Sequence, residues 1–213
     1  MQSGKNIKIK VCGMRDIQNI TELITLKPDF IGFIFYPPSK RFVKGILNSC
    51  EIIIIPDTII KTGVFVNEDT GIILRTVDEF KLQAVQLSGN ETPEICNELK
   101  NKGIRILKTF HMDNSFDFNI IEPYLKNVDY VLFDTKSDGY GGSGIKFNWS
   151  ILESYKYEIP FFLSGGITED DIPEINDIKN PAFFGVDINS RFELSPAVKD
   201  IEKIKKFMKN LIK

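Results

Sequence analysis

A chain of 213 residues with 42% apolar, 26% charged and 11% aromatic residues has the make-up of an ordinary soluble globular protein, and a single domain over residues 1–213 is expected. The 27 basic and 29 acidic residues leave a net charge of -2, without the basic excess of a surface built for phosphate backbones, so no nucleic-acid partner is expected. The longest aliphatic stretch, Ile52 to Ile55, is too short for a membrane span, and the polar start Met1-Gln-Ser-Gly-Lys-Asn has no apolar signal core, which places the chain in the cytoplasm.

From the amino end, the first strand-like run is Ile7 to Val11, and Asp16 then opens a helix with Ile17, Ile20, Leu23 and Ile24 on one face. Phe30 to Phe35 is the second strand. Asn48 to Ile60 is assigned to the helical layer on spacing alone, because its β-branched run before Pro56 reads equally as a helix end or a stray strand. Further strands follow at Thr62 to Val66, Ala84 to Leu87, Ile104 to Leu107, Tyr130 to Phe133, Pro160 to Leu163 and Ala182 to Val186. The last segment, Asp200 to Lys213, carries Ile201, Ile204, Phe207 and Leu211 at helical spacing opposite lysines, as a helix covering a sheet does. Several strand runs are continuously apolar, the pattern of parallel strands covered on both faces.

Eight strand–helix units in this length average about 27 residues each, near the minimum for a βαβ step. The expected architecture is α/β, a compact (β/α)8 TIM barrel. The alternative is a doubly wound open sheet, but Cys12-Gly-Met follows the first strand where a dinucleotide fingerprint would stand.

In such a barrel the working residues lie at the carboxyl ends of the strands. Gly165-Gly166, just before a helix start at Thr168, offers backbone N–H groups to an anion, and Asn189-Ser190 after strand 8 completes a phosphate site; tight turns alone also explain the glycines. Gly141-Gly142-Ser143-Gly144 reads as a lid over a ligand or as a plain linker, and it lacks the lysine of a nucleotide loop. Cys12 stands where a thiol near cationic groups can ionise in part and take a proton, although a strand-end cysteine is also a common small buried apolar residue. Asp134 ends a very apolar strand, so desolvation can keep it protonated as an acid; a loop-capping carboxylate has the same appearance. Arg41, one of five arginines, stands in a Pro-Pro-Ser-Lys-Arg loop where its planar fork suits a substrate carboxylate, or simply the solvent. Three scattered cysteines and a single histidine, His111, offer neither a disulfide scaffold nor a multi-histidine metal site, so no metal is expected.

Seven motifs in order then carry a resemblance: Lys10-Val-Cys-Gly-Met14, Gly32-Phe-Ile-Phe-Tyr36 with Ser39-Lys-Arg41, Gly63-Val-Phe-Val-Asn67, Val85-Gln-Leu87, Gly141-Gly-Ser-Gly144 before Phe147-Asn-Trp149, Leu163-Ser-Gly-Gly-Ile167, and Gly185-Val-Asp187 with Lys199-Asp200. Together they resemble the phosphoribosylanthranilate isomerases, end to end. The resemblance implies a cofactor-free Amadori rearrangement of N-(5-phosphoribosyl)anthranilate in tryptophan biosynthesis, with a small-molecule phosphosugar as the substrate. It implies Cys12 as general base, Asp134 as general acid and Arg41 on the anthranilate carboxylate. It also implies Gly165, Gly166, Asn189 and Ser190 on the phosphate, with Asp187, Gly142, Ser143 and Gly144 elsewhere in the substrate site. Departures are Ser88 where the family often has histidine, Arg191 where it has glycine, and Asn148 where it has aspartate. A histidine-pathway Amadori enzyme of the same barrel type resembles a pair of opposed aspartates, whereas this chain has Cys12 on the first strand. A phosphosugar-binding barrel without turnover is the third alternative. Oligomeric state is left open.

Overall fold

The computed structural model describes residues 6–135 and 146–211. Eight strands, β1 (Lys8–Val11), β2 (Phe30–Ile34), β3 (Ile60–Phe65), β4 (Ala84–Leu87), β5 (Arg105–Met112), β6 (Tyr130–Thr135), β7 (Phe161–Leu163) and β8 (Phe183–Ile188), pair in parallel in chain order. The ladder between β1 and β8, from Lys8 opposite Gly185 to Val11 opposite Ile188, closes them into a barrel, so the expected (β/α)8 TIM barrel is the architecture found and the open sheet is not.

Strand side chains alternate between two environments, as the period of two requires. Ile9, Val11, Ile31, Phe33, Val85, Leu87, Ile106, Val131 and Phe133 belong to the large core between sheet and helices. Phe30, Ala84, Leu107, Leu132 and Phe162 form a separate cluster that fills the barrel interior. Further along the strands the interior turns polar: Lys10, Thr62, Gln86, Thr109 and Asp187 are all buried. That polar layer is the floor of the site.

The outer helices begin where the capping chemistry puts them. Asp16 accepts from the Asn19 N–H at 2.8 Å and starts α1 (Ile17–Thr25), which buries Ile20 and Leu23. After β2 comes one turn, α2 (Ser49–Ile52), so Asn48 to Ile60 is mostly turn rather than the helical layer expected; Ile53 and Ile54 are exposed while Ile52, Ile55 and Ile59 are buried. A β-branched run is poor material for propagating a helix. Asp69 caps α3 (Thr70–Phe80), and α4 (Pro93–Lys100) carries proline at its start, where no N–H is needed. The connections after β5 and β6 carry 3-10 helices (Phe118–Tyr124 and Trp149–Ser154), the first with Pro123 inside it. The chain continues with α5 (Ile172–Asp177), a hairpin of β9 (Glu193–Ser195) and β10 (Val198–Lys199), and α6 (Ile201–Leu211). None of the helices described is long and apolar enough to cross a membrane.

Strand β5 runs five residues past the Leu107 end read from the sequence, because Lys108 is not a surface charge. Its ammonium is 2.9 Å from Glu91 and donates to the Leu87 and Gly89 carbonyls at 3.2 and 2.7 Å. Glu91 in turn accepts from the Asn67 N–H at 2.8 Å and the Gly89 N–H at 2.9 Å. Both charged side chains are nearly inaccessible, at 3% and 1% exposure. Removing one member strands the other in low dielectric. Lys108→Met is therefore expected to lower the unfolding free energy by about 3–5 kcal/mol and the melting temperature by about 6–20 °C, read by calorimetry. A melting temperature unchanged by the substitution would show that the pair contributes little.

Candidate active site

The carboxyl ends of the strands enclose a cavity of about 570 Å³. Cys12, Arg41, Gln86, Ser88, His111, Asp134, Ser164, Gly165, Gly166, Asp187, Asn189 and Ser190 all line it. Every expected site residue among those described is thus brought to one space. Gly142, Ser143 and Gly144 lie outside the described residues. Asp134 and Asp187 are set within β6 and β8 rather than in the loops after them, Asp134 in register with His111 of β5 and Asp187 with Lys10 of β1, so strand pairing fixes each backbone on one side.

Cys12 leaves β1 on its inward face, two residues after Lys10, and is 4% exposed. The Lys10 ammonium, fully buried, donates to Asp187 Oδ2 at 2.9 Å. Burial works against the charge of Lys10, yet Asp187, with Cys12 adding to it, more than offsets this and holds the ammonium pKa above its ordinary value. Burial pushes the Cys12 thiol up, while Lys10 and Lys199 pull it down and Asp187 pushes it further up. The net direction is upward, so the resting side chain is a thiol and not the partial thiolate that the sequence suggested. Burial, more than any neighbour, decides this. Among the described residues, no three or more His, Cys, Asp and Glu side chains converge as metal ligands.

Asp134 stands across the mouth from Cys12, with β7 and β8 between their strands on one side and β2 to β5 on the other. Burial raises its pKa; His111, in register with it on β5, pulls it down, Asp187 pushes it up, and hydrogen bonds from the Thr135 N–H and Ser164 pull it down. The net shift is upward, toward a carboxyl that keeps its proton. This is the direction an acid catalyst needs.

The anion-binding end is formed by the loops after β7 and β8. Gly165 and Gly166 have φ of 95° and 68°, and a Cβ on Gly165 would fall 2.3 Å from Thr135 Oγ1 and 2.7 Å from the Thr135 nitrogen, so only glycine fits. Among the described residues, the N–H groups of Gly165, Gly166 and Ser190 meet no protein acceptor, which leaves them for a ligand. Asn189 is held by the Lys199 ammonium at 2.7 Å, and the same ammonium meets Glu193 Oε1 at 2.7 Å.

Glu193 also receives Arg41 in two hydrogen bonds, Nε to Oε1 at 2.8 Å and Nη2 to Oε2 at 2.6 Å. The hydrogen bond to Glu193 raises the guanidinium pKa further, and Arg41 and Lys199 together outweigh burial to hold the Glu193 carboxyl low. One edge of the Arg41 fork is therefore spent on Glu193. Its Nη1 group has no partner among the described residues and remains for a ligand.

A family model described as N-(5'phosphoribosyl)anthranilate (PRA) isomerase matches residues 9–210. The chain belongs to this family. Among curated phosphoribosylanthranilate isomerases, that of Parabacteroides distasonis is 44% identical over 208 residues, 96% of this chain and 93% of the relative. That of Phocaeicola vulgatus is 41% identical over 95% of this chain and 97% of its own. The crystal structure of the Thermotoga maritima isomerase superposes with a TM-score of 0.84 at 33% identity, covering 96% of this chain and 98% of that one. A further isomerase structure, in complex with reduced 1-(o-carboxyphenylamino)-1-deoxyribulose 5-phosphate, superposes with a TM-score of 0.81 at 30% identity over the same shares.

Two departures from the phosphoribosylanthranilate isomerase pattern have a clear local structure. Ser88 receives the Gln86 amide at 3.0 Å and stands 3.0 Å from the Thr109 hydroxyl, forming a polar floor. His111, from the next strand, reaches the Ser88 carbonyl oxygen at 3.3 Å, so β5 supplies an imidazole to this wall although β4 does not. Arg191 lies in a 3-10 turn (Ser190–Phe192) without positive φ, so the backbone accepts it without strain, and its carbonyl receives Lys203 at 2.8 Å.

Sequence reading missed Lys10, Glu193, Gln86 and Lys199 as parts of the site. A lysine two residues before a strand-end cysteine, inside an apolar run, was the signal available for Lys10. Nothing local announces Glu193, whose partner Arg41 is 152 residues away.

Proposed function

We propose that this protein is an N-(5'-phosphoribosyl)anthranilate isomerase, acting in the cytoplasm in tryptophan biosynthesis with the whole chain, 1–213, as one catalytic domain. The observation that carries the reading is that Cys12 and Asp134 line one cavity from opposite sides, with unpartnered backbone N–H groups at its end. An aldose-to-ketose shift needs one proton given and one taken, and two such groups are present.

In this reading the substrate phosphate is held by the N–H groups of Gly165, Gly166 and Ser190 and by Asn189. The anthranilate carboxylate meets the free end of Arg41, and Asp187 turns its second oxygen to the sugar. Protonated Asp134 gives its proton to the furanose ring oxygen as the C1–O bond breaks and the anilino nitrogen forms the C1=N bond. Cys12, as thiolate, removes the proton from C2, and the electron pair of that C–H bond passes into C1=C2 while nitrogen regains its lone pair. The enolamine becomes the ketone when C1 gains a proton and the C2 hydroxyl loses one. Asp134 ends one proton short and Cys12 one proton over, so a single transfer restores the protein.

The direct test mixes the purified protein with freshly generated, fluorescent phosphoribosylanthranilate. Signal must decay faster than by spontaneous hydrolysis; decay at the spontaneous rate would leave a binding barrel without turnover. Arg41→Ala is expected to raise KM by about 10–100-fold with a smaller change in kcat, because it removes a grip present before and during the reaction. A loss confined to kcat would place Arg41 in the chemistry instead.

A further inference from the structure

The proposed chemistry leaves unused the least accessible cation in the barrel. Lys10 on β1 and Cys12 just past its end occupy successive inward positions, and the Lys10 side chain has no exposure. Its ammonium is 2.9 Å from Asp187 Oδ2 on β8, and its charge acts on the Cys12 sulfur, which stands two residues on along the same inward face. A charge this deep persists only where it is paired. Asp187 pairs it with one oxygen only, and Asp187 Oδ1 is buried with no partner among the described residues. A pair that served only to join β1 to β8 would not need its ammonium on the same inward face as the Cys12 sulfur.

We propose that Lys10 is a positioning residue: its ammonium, anchored by Asp187, holds the Cys12 sulfur in anionic form for the step in which it takes the substrate proton. The proposal rests on Cys12 being the base. The charges that face the sulfur are Lys10 from its own strand, Asp187 from β8, Lys199 from the β9–β10 hairpin and Arg41 from the loop after β2. Lys199 and Arg41 are both bound to Glu193, which offsets their charge. Of these cations, Lys10 acts most strongly on the sulfur. Through the step it keeps all its protons; the one that moves passes from C2 to sulfur, and the anion is neutralised beside the ammonium.

The test reads the Cys12 thiolate by its ultraviolet absorbance against pH, as the difference between the protein and its Cys12→Ser variant, which cancels Cys50 and Cys96. Lys10→Met is expected to raise the midpoint by about one pH unit or more, a tenfold loss of thiolate at a given pH, with kcat falling in step and KM little changed. Lys10→Arg, which keeps the charge, brings the midpoint back toward that of the unaltered protein. Asp187→Asn removes the anion beside Lys10 and is expected to lower the midpoint. Opposite displacements from the two halves of one ion pair are the signature of the proposed role. A purely structural pair lowers the melting temperature in both variants and leaves the midpoint where it was, and that result overturns the proposal. If Lys10→Met does not fold, the sign from Asp187→Asn decides: a midpoint unmoved or raised overturns it. The midpoint is read without substrate, so its failure is separate from that of Cys12 as the base, which the turnover of Cys12→Ser decides.

Discussion

Asp134→Asn is expected to reduce kcat on the order of a thousandfold while leaving the affinity for a product analogue nearly intact. The amide fills the same space beside the Thr135 N–H but has no proton to give the ring oxygen. The pH profile gives a second reading. Burial, opposed by His111 and reinforced by Asp187, holds Asp134 above the ordinary carboxylate value, and burial likewise holds the Cys12 thiol up. With both groups moved upward, the expected profile takes the order of the free groups, carboxyl below thiol, in which the working form, with Asp134 protonated and Cys12 ionised, is a minority at every pH. Its fraction rises with pH until Asp134 starts to lose its proton. It then stays level, because each loss of acid is matched by a gain of base, and it falls once Cys12 is fully ionised. The low-pH limb of kcat/KM therefore reports Asp134 and the high-pH limb reports Cys12. In Asp134→Asn the plateau is expected to become a rising slope that ends at the Cys12 midpoint. Turnover and profile both unchanged would eliminate Asp134 as the acid.

Cys12→Ser is the second large effect, a loss in kcat of about 10²–10⁴-fold with KM nearly unchanged. A serine hydroxyl is nearly isosteric but far harder to ionise, and the charges around it are set for a sulfur anion. The hydroxyl fills nearly the same space, so the variant's melting temperature should stay close to that of the unaltered protein; a large drop would mean that packing, rather than proton transfer, explains the lost rate. Retained turnover in a folded Cys12→Ser protein would remove the base from the mechanism.

The barrel was readable because parallel strands covered on both faces are continuous apolar runs, and eight of them at short spacing leave few other architectures. Cys12, Asp134 and Gly165-Gly166 were readable for a related reason: each interrupts or ends such a run at the carboxyl side of a strand. Buried lysines defeated the same logic. Lys108 ended the fifth strand too early and Lys10 was given no role of its own, because a charge in sequence gives no sign that its partner waits on another strand. The Arg41–Glu193–Lys199–Asn189 chain is invisible for the same reason, being made of contacts that exist only after closure. Asn48 to Ile60 failed differently: β-branched residues were counted by spacing as helix, although their backbone preference lies elsewhere.

The seam between β1 and β8 has a bearing on how the protein is made. Cys12 emerges from the ribosome early, yet Asp187 and Lys199 follow it by well over a hundred residues, and the sulfur acquires its electrical surroundings only when they dock. Nascent chains stopped anywhere before β8 would hold Lys10 without the Asp187 anchor and have no competence to rearrange a sugar. Activity should thus appear all at once, with the final strand, rather than grow as synthesis proceeds.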